Sequence, residues 1–237
     1  MHLIKMNDRI CQTYTCRRVM NMPEHSVIRF RINGPLRILF LMLLFSVCPA
    51  LAKEPPVLVV VGDSLTAGHG LAAQDAFPQK LQKHLTSLGI AVKVENAGVS
   101  GDTTLDGLAR LDWSVGPGAD AVILELGAND GLRGLSPEQA YANLEIMVQR
   151  LQHRKLPVLL AGMKAMRNLG GEYTSAFDAI YPRLAEKYRV PLYPLFLEGV
   201  AQDPALNQPD MLHPNEAGVD RIVRNISPQV IRLLEGL

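Results

Sequence analysis

Cysteine is nearly missing from this chain. There are three, Cys11, Cys16 and Cys48, and all lie in the first 52 residues. Residues 53–237 therefore have no disulfide, no thiol chemistry and no cysteine-ligated metal, and must stand on packing alone. Long apolar runs are also lacking. The longest, Ile38 to Val47, covers ten residues, about half of the roughly 20 a spanning helix needs. An excess of basic charge is missing too once the leader is set aside: residues 53–237 carry 17 Lys and Arg against 21 Asp and Glu, a net charge of −4. A mildly acidic domain with no basic stripe argues against nucleic-acid partners and against an anionic membrane surface. Finally, no Gly-x-Gly-x-x-Gly and no phosphate-loop lysine occurs, which weakens a nucleotide-binding reading.

The leader has its own character. Arg29, Arg31 and Arg37 precede the apolar run, and Pro49-Ala50-Leu51-Ala52 follows it, the three-part layout of a secretory signal peptide. The small residues Ala50 and Ala52 place cleavage after Ala52. The expected organisation is a removed segment 1–52, with Met20 or Met22 as alternative starts, then a single domain over 53–237. The expected product is periplasmic or secreted, without a stable membrane anchor, and monomeric.

The chain is organised around Val57-Leu58-Val59-Val60-Val61-Gly62-Asp63-Ser64. Five apolar, mostly β-branched residues run into Gly-Asp-Ser, the pattern of a strand buried on both faces that ends in a turn. Ser64 at such a strand end is open to three readings: nucleophile, phosphate-loop residue or helix cap. Further strands are expected over 91–94, 121–126, 157–162 and 190–194. Helices are expected from Asp75 with Phe77, Leu81, Leu85 and Leu88 inward, after Thr104 with Leu105, Leu108 and Leu111 inward, from Ser136 to about Arg154, over 177–188, and from His213-Pro214 to about Leu234. Strands alternating with helices at this spacing predict a three-layer α/β/α domain around a parallel sheet. The loops at the strand carboxyl ends then converge, bringing residues near 64, 101, 129 and 210–213 together.

Those loops hold what serine-based acyl transfer needs. Ser64 is the candidate nucleophile, His213 the base and Asp210 the carboxylate that orients it. The backbone amides of Ser64 and Gly101 and the side chain of Asn129 are the candidate oxyanion donors. His69 is close enough in sequence to line the site. The connection Lys164 to Ala176 leaves the fourth strand on the same edge and carries Met166, Leu169 and Tyr173, with Phe177 just beyond and Gly170-Gly171 as a hinge. These are the candidate substrate-binding residues, since flexible methionine and aromatic side chains suit an acyl groove. A metal-dependent hydrolase built from Asp63, Asp102, Asp130 and Asp210 is a rival reading, as is a nucleotide-binding module.

Gly62-Asp63-Ser64-Leu65, Gly101, Gly127-Ala128-Asn129-Asp130 and Asp210-Met211-Leu212-His213-Pro214 resemble, in order, the four blocks of the SGNH or GDSL hydrolases. Within them the chain is most similar to the secreted bacterial thioesterase I, arylesterase and lysophospholipase group. The likeness extends to Gly101-Asp102-Thr103 and to Asn129-Asp130-Gly131-Leu132-Arg133. It implies a flavodoxin-like five-stranded sheet of order 2-1-3-4-5 and an acyl-enzyme on Ser64. It also implies a small-molecule ester or thioester substrate, such as an aryl ester, acyl-CoA or lysophospholipid, and neither metal nor other cofactor. A carbohydrate O-deacetylase of the same family is the alternative.

Overall fold

A computed structural model describes residues 54–237; the apolar run 38–47 and the expected cleavage point at Ala52 lie outside the described residues. Five strands, β1 (Val57–Gly62), β2 (Lys93–Gly98), β3 (Ala121–Glu125), β4 (Val158–Ala161) and β5 (Leu192–Tyr193), pair in parallel in the order β2-β1-β3-β4-β5. This is the expected sheet. β1 and β3 are buried along almost their whole length, as strands covered by helices on both faces must be. The covering helices are α1 (Ser64–Ala67), α2 (Phe77–Ser87), α3 (Thr104–Ser114), α4 (Ala128–Leu132), α5 (Pro137–His153), α6 (Gly171–Asp178), α7 (Ile180–Tyr188) and α8 (Glu216–Glu235). α2 packs on α8, while α3 packs on α5 and α5 on α7, which makes the two helical layers.

Local chemistry explains most helix ends. Pro78 stands at the start of α2, and Phe77, Leu81 and Leu85 are its buried stripe. The Ser136 hydroxyl accepts the Gln139 N–H to cap α5, with Pro137 next, the arrangement read from the sequence. Thr103 and Asp106 form a reciprocal capping box on α3. Leu88 and Leu105, expected in the core, are instead 54% and 59% exposed. Each sits at a helix end, past the point where its stripe still faces the sheet.

Several boundaries differ from expectation: the helix expected from Asp75 starts at Phe77, the one expected over 177–188 is α7, Ile180–Tyr188, with Phe177 in α6, and β4 and β5 are shorter than 157–162 and 190–194. β2 runs over Lys93–Gly98, not 91–94, because Asn96-Ala97-Gly98 continues the parallel register until Gly98 pairs with Gly62; backbone pairing with a buried neighbour overrides the loop preference of Asn and Gly. The segment 164–176 is not one long loop: a 3₁₀ turn at Arg167–Leu169 leads into α6, whose first turn uses the Gly170 carbonyl to accept the Thr174 N–H. Gly170-Gly171 is therefore the start of a helix. The last helix begins at Glu216, with Asn215 as its cap.

The strand ends are tied together by Arg110 of α3. Its guanidinium donates to Asp102 Oδ2 at 2.6 Å, to the Ala97 carbonyl at 2.8 Å and to the Gly62 carbonyl at 2.9 Å. Arg110 and Asp102 are both largely buried, so removing one partner strands the other's charge. Arg110→Met should lower the unfolding free energy by about 3 kcal/mol, and Arg110→Lys should recover less than half of that because one ammonium cannot serve three acceptors in a fork. Equilibrium denaturation of the three proteins checks this.

Candidate active site

Asp63 ends β1 and caps α1 by accepting the Leu65 N–H at 3.0 Å, which leaves Ser64 as the first residue of that short helix with its hydroxyl at the sheet edge. Ser64 Oγ lies 2.9 Å from His213 Nε2, and His213 Nδ1 lies 2.6 Å from Asp210 Oδ2. A carboxylate at Nδ1 fixes the tautomer, so Nε2 is free to accept a proton. The other oxygen of Asp210 accepts the backbone N–H groups of Leu212 and His213, each at 3.0 Å. The N–H and the imidazole of His213 and the N–H of Leu212 together hold the Asp210 carboxyl down at about 2, so it stays charged throughout the working range of an imidazole.

The loop that carries Asp210 and His213 is fastened to the serine turn. Gln208 donates its backbone N–H to the His213 carbonyl at 2.8 Å and its side-chain amide to the His69 carbonyl at 2.7 Å, and the His69 N–H donates to the Ser64 carbonyl at 3.1 Å. The His69 ring lies against the His213 ring, centroids 4.5 Å apart and tilted by 41°. His69 thus lines the site.

The oxyanion candidates come from two further loops. Gly101 has φ of +90°, a conformation open to glycine and costly for other residues. Asn129, expected in a loop, lies in α4; its amide donates to the Asp102 carbonyl at 3.0 Å and approaches Asp63 Oδ2 at 3.4 Å. One N–H of the amide is committed to Asp102, and the other, only loosely held, faces the serine end of the site. Nearby, Gly98 lets α1 come close: a Cβ there would sit 2.4 Å from the Ala67 nitrogen.

Beneath the serine turn lie two buried carboxyls. Glu125 and Asp63 are both 0% exposed. Glu125 Oε2 accepts the Thr66 hydroxyl at 2.6 Å and the Asp63 N–H at 3.3 Å, and its Oε1 has no partner. Burial, and then the Asp63 charge, push the Glu125 carboxyl well above the usual range. Burial likewise lifts Asp63 to about 6, against the opposing pull of the Leu65 N–H. Burial and the neighbouring Asp63 charge thus favour the protonated form of Glu125.

Residues 60–221 match the GDSL-like lipase/acylhydrolase family. The chain is a member of that family. It is 39% identical over 198 residues to the esterase TesA of Pseudomonas aeruginosa, covering 81% of this chain and 98% of that one. To the arylesterase of Vibrio mimicus it is 36% identical over 200 residues, covering 84% and 100%. To the thioesterase 1/protease 1/lysophospholipase L1 of Escherichia coli it is 39% identical over 165 residues, covering 69% and 78%. Among solved structures it superposes on TesA with a TM-score of 0.71 at 39% identity, covering 75% of this chain and 99% of that one. On AlinE4, an SGNH-hydrolase family esterase, the TM-score is 0.65 at 48% identity, with 76% and 96% covered.

In this GDSL hydrolase the candidate residues Ser64, His213, Asp210, Gly101 and Asn129 all meet at one sheet edge. The candidate substrate residues divide. Met166 is 39% exposed on the connection after β4; Leu169 and Tyr173 line a cleft of about 460 Å³ with Pro137 and Glu138, a cleft that none of the triad or oxyanion candidates lines, and the Tyr173 hydroxyl donates to the Leu135 carbonyl at 2.8 Å. Phe177 does not reach it: the residue is fully buried, its ring against those of Tyr173 and Tyr181 and under Gly131. The rival metal set does not converge either. Asp102 pairs with Arg110, Asp130 accepts from the backbone and hydroxyl of Thr104, Asp63 caps α1, and Asp210 faces His213. A larger cavity of about 600 Å³, lined by Pro157, Val158 and Leu192, opens at the amino-terminal edge of the sheet, away from the serine.

Glu125 and Arg110 carried no expectation from the sequence, and Arg133 entered only as the last residue of a family block, with no role. Glu125 had a signal: a carboxylate at the end of a strand otherwise apolar on both faces is a residue with a tertiary reason to be there. The consequence is testable. A raised folded-state value means that the Glu125 contribution to stability is complete below its ordinary value of 4.5 and is lost as pH rises toward the folded value. Glu125→Gln mimics the protonated acid and escapes that loss. The melting temperature of the variant relative to the unaltered protein should therefore rise between about pH 5 and about pH 8, with turnover within about threefold of the parent. Calorimetry at the two pH values checks it, and a constant difference would mean that Glu125 is ionised in the fold.

Proposed function

We propose that this protein is a serine esterase that hydrolyses carboxylic esters and thioesters through an acyl-enzyme on Ser64. The observation that carries the reading is the unbroken line Ser64 Oγ, His213 Nε2, His213 Nδ1, Asp210 Oδ2, with contacts of 2.9 Å and 2.6 Å. In this mechanism Ser64 Oγ bonds to the acyl carbon while its proton passes to His213 Nε2. The carbonyl oxygen becomes an oxyanion held by the N–H groups of Ser64 and Gly101 and by the Asn129 amide. Collapse expels the alcohol or thiol, which takes the proton from His213, and water then repeats the sequence on the acyl-enzyme. Asp210 remains charged and stabilises the imidazolium.

The relatives named esterase, arylesterase and thioesterase support ester and thioester substrates over a nucleotide. Met166, Leu169 and the aromatic ring of Tyr173, on the connection that follows β4, favour an acyl chain over the polyhydroxylated substrate of a carbohydrate O-deacetylase. Among the described residues no helix is long and apolar enough to cross a membrane. The leader composition supports export, cleavage near Ala52 and a periplasmic or secreted single domain over 53–237.

Two outcomes test the reading. Ser64→Ala should abolish turnover and fluorophosphonate labelling while leaving the circular dichroism spectrum unchanged; retained turnover would remove Ser64 from the chemistry. On p-nitrophenyl esters, kcat/KM should rise from acetyl toward octanoyl as each buried methylene contributes about 0.8 kcal/mol. Leu169→Ala should flatten that rise while sparing acetyl ester. Equal losses on acetyl and octanoyl esters would place the acyl groove elsewhere on the edge.

A further inference from the structure

The two side-loop oxyanion donors belong to different parts of the sheet. Gly101 follows β2 at the sheet edge, Asn129 follows β3, and β1 runs between those strands. For both to reach one oxygen, their separation must hold to a few tenths of an ångström, since a donor at hydrogen-bond distance does its work and one displaced by much more does not. One side chain touches both. Arg133 Nη2 donates to the Gly101 carbonyl at 2.9 Å and to Asn129 Oδ1 at 3.4 Å. Its own backbone N–H closes α4 on the Asn129 carbonyl at 3.1 Å, so the guanidinium starts from a fixed root.

We propose that Arg133 is a positioning residue: its guanidinium bridges Gly101 to Asn129 and so holds the two oxyanion donors in register. This rests on the reading of Gly101 and Asn129 as oxyanion donors. The bridge does two things. It ties the loop after β2 to the helix after β3 by a contact outside the sheet. It also fixes the Asn129 amide the right way round: with Oδ1 accepting from Arg133, the NH₂ group is left to donate, at 3.0 Å to the Asp102 carbonyl and at a long 3.4 Å to Asp63 Oδ2 beside Ser64, the weaker of which an oxyanion would replace. A flip of the amide would set its NH₂ against the guanidinium, donor facing donor. Arg133 is exposed, so its charge is screened and its part is geometric.

The test is a double-mutant cycle on a short ester such as p-nitrophenyl butyrate, with Arg133→Met, Arg133→Lys, Asn129→Ala and Arg133→Met with Asn129→Ala together. Asn129→Ala alone should cut kcat by about 10²–10³-fold. Arg133→Met should cut kcat about tenfold with KM within about twofold, and Arg133→Lys should fall between, since an ammonium reaches one acceptor without bridging two. In the Asn129→Ala background the Arg133 change should cost less than about twofold, because the donor it positions is gone. Inactivation by a fluorophosphonate should slow in parallel with kcat. Full additivity, a change confined to KM, or parental kcat in Arg133→Lys and Arg133→Met would overturn the bridge while leaving the oxyanion reading intact. Parental kcat in Asn129→Ala would overturn the oxyanion reading itself, and the bridge with it. Melting temperatures of the Arg133 variants within about 2 °C of the parent separate positioning from folding.

Discussion

Everything at the site depends on the parallel pairing of β1 between β2 and β3. The register sets Gly98, Gly62 and Glu125 abreast, and continues through Ala161 to Tyr193. From that row each strand hands on to a loop at the same height: Ser64 after β1, Gly101 after β2, Asn129 after β3. Because side chains alternate with period two, a slip of one residue in β1 would turn its inward set outward and carry Ser64 away from the other loops. Burial of β1 and β3 on both faces makes that slip costly, and the same aliphatic core that stabilises the sheet thus sets the geometry of the site.

The electrostatics divide along burial. Asp210 is 41% exposed at its side chain and is kept ionised by two backbone N–H groups and the imidazole. Glu125, in full burial with one unpartnered oxygen, has its protonated form favoured. The two carboxyls have opposite tasks. The outer one must hold a charge while an imidazolium forms, which needs donors and contact with water. The inner one fills and fastens the space under the serine turn, where a second full charge beside Asp63 would be expensive.

Two arginines fasten the loops that the strands deliver. Arg110 is largely buried and binds strand ends to one another through backbone carbonyls; Arg133 is exposed and binds loop to loop. The fork of the guanidinium suits both places, since one group can satisfy carbonyls that approach from different directions. Neither role was legible beforehand. An arginine on a helix face or in a polar loop reads as a solvated charge, and only the fold says which carbonyls come within its reach.

By itself the sequence determined the sheet, its strand order through the family resemblance, and which loops carry the candidate residues Ser64, Asp210, His213, Gly101 and Asn129. These are legible because hydrophobic period, caps and strand-end motifs are local properties of the chain. Tertiary structure decided the rest. β2 extends through Asn96-Ala97-Gly98 because a buried neighbour offers pairing that no local propensity encodes. The helix α6 begins at Gly171 and pulls Phe177 into the core, since an aromatic residue next to a mobile-looking loop and one beneath a helix have the same sequence signature. Glu125 becomes a buried acid, and Arg133 a bridge, for one reason: their partners, Thr66 and Asp63 for the first and Gly101 for the second, lie far away along the chain and meet them only when the strands are in register.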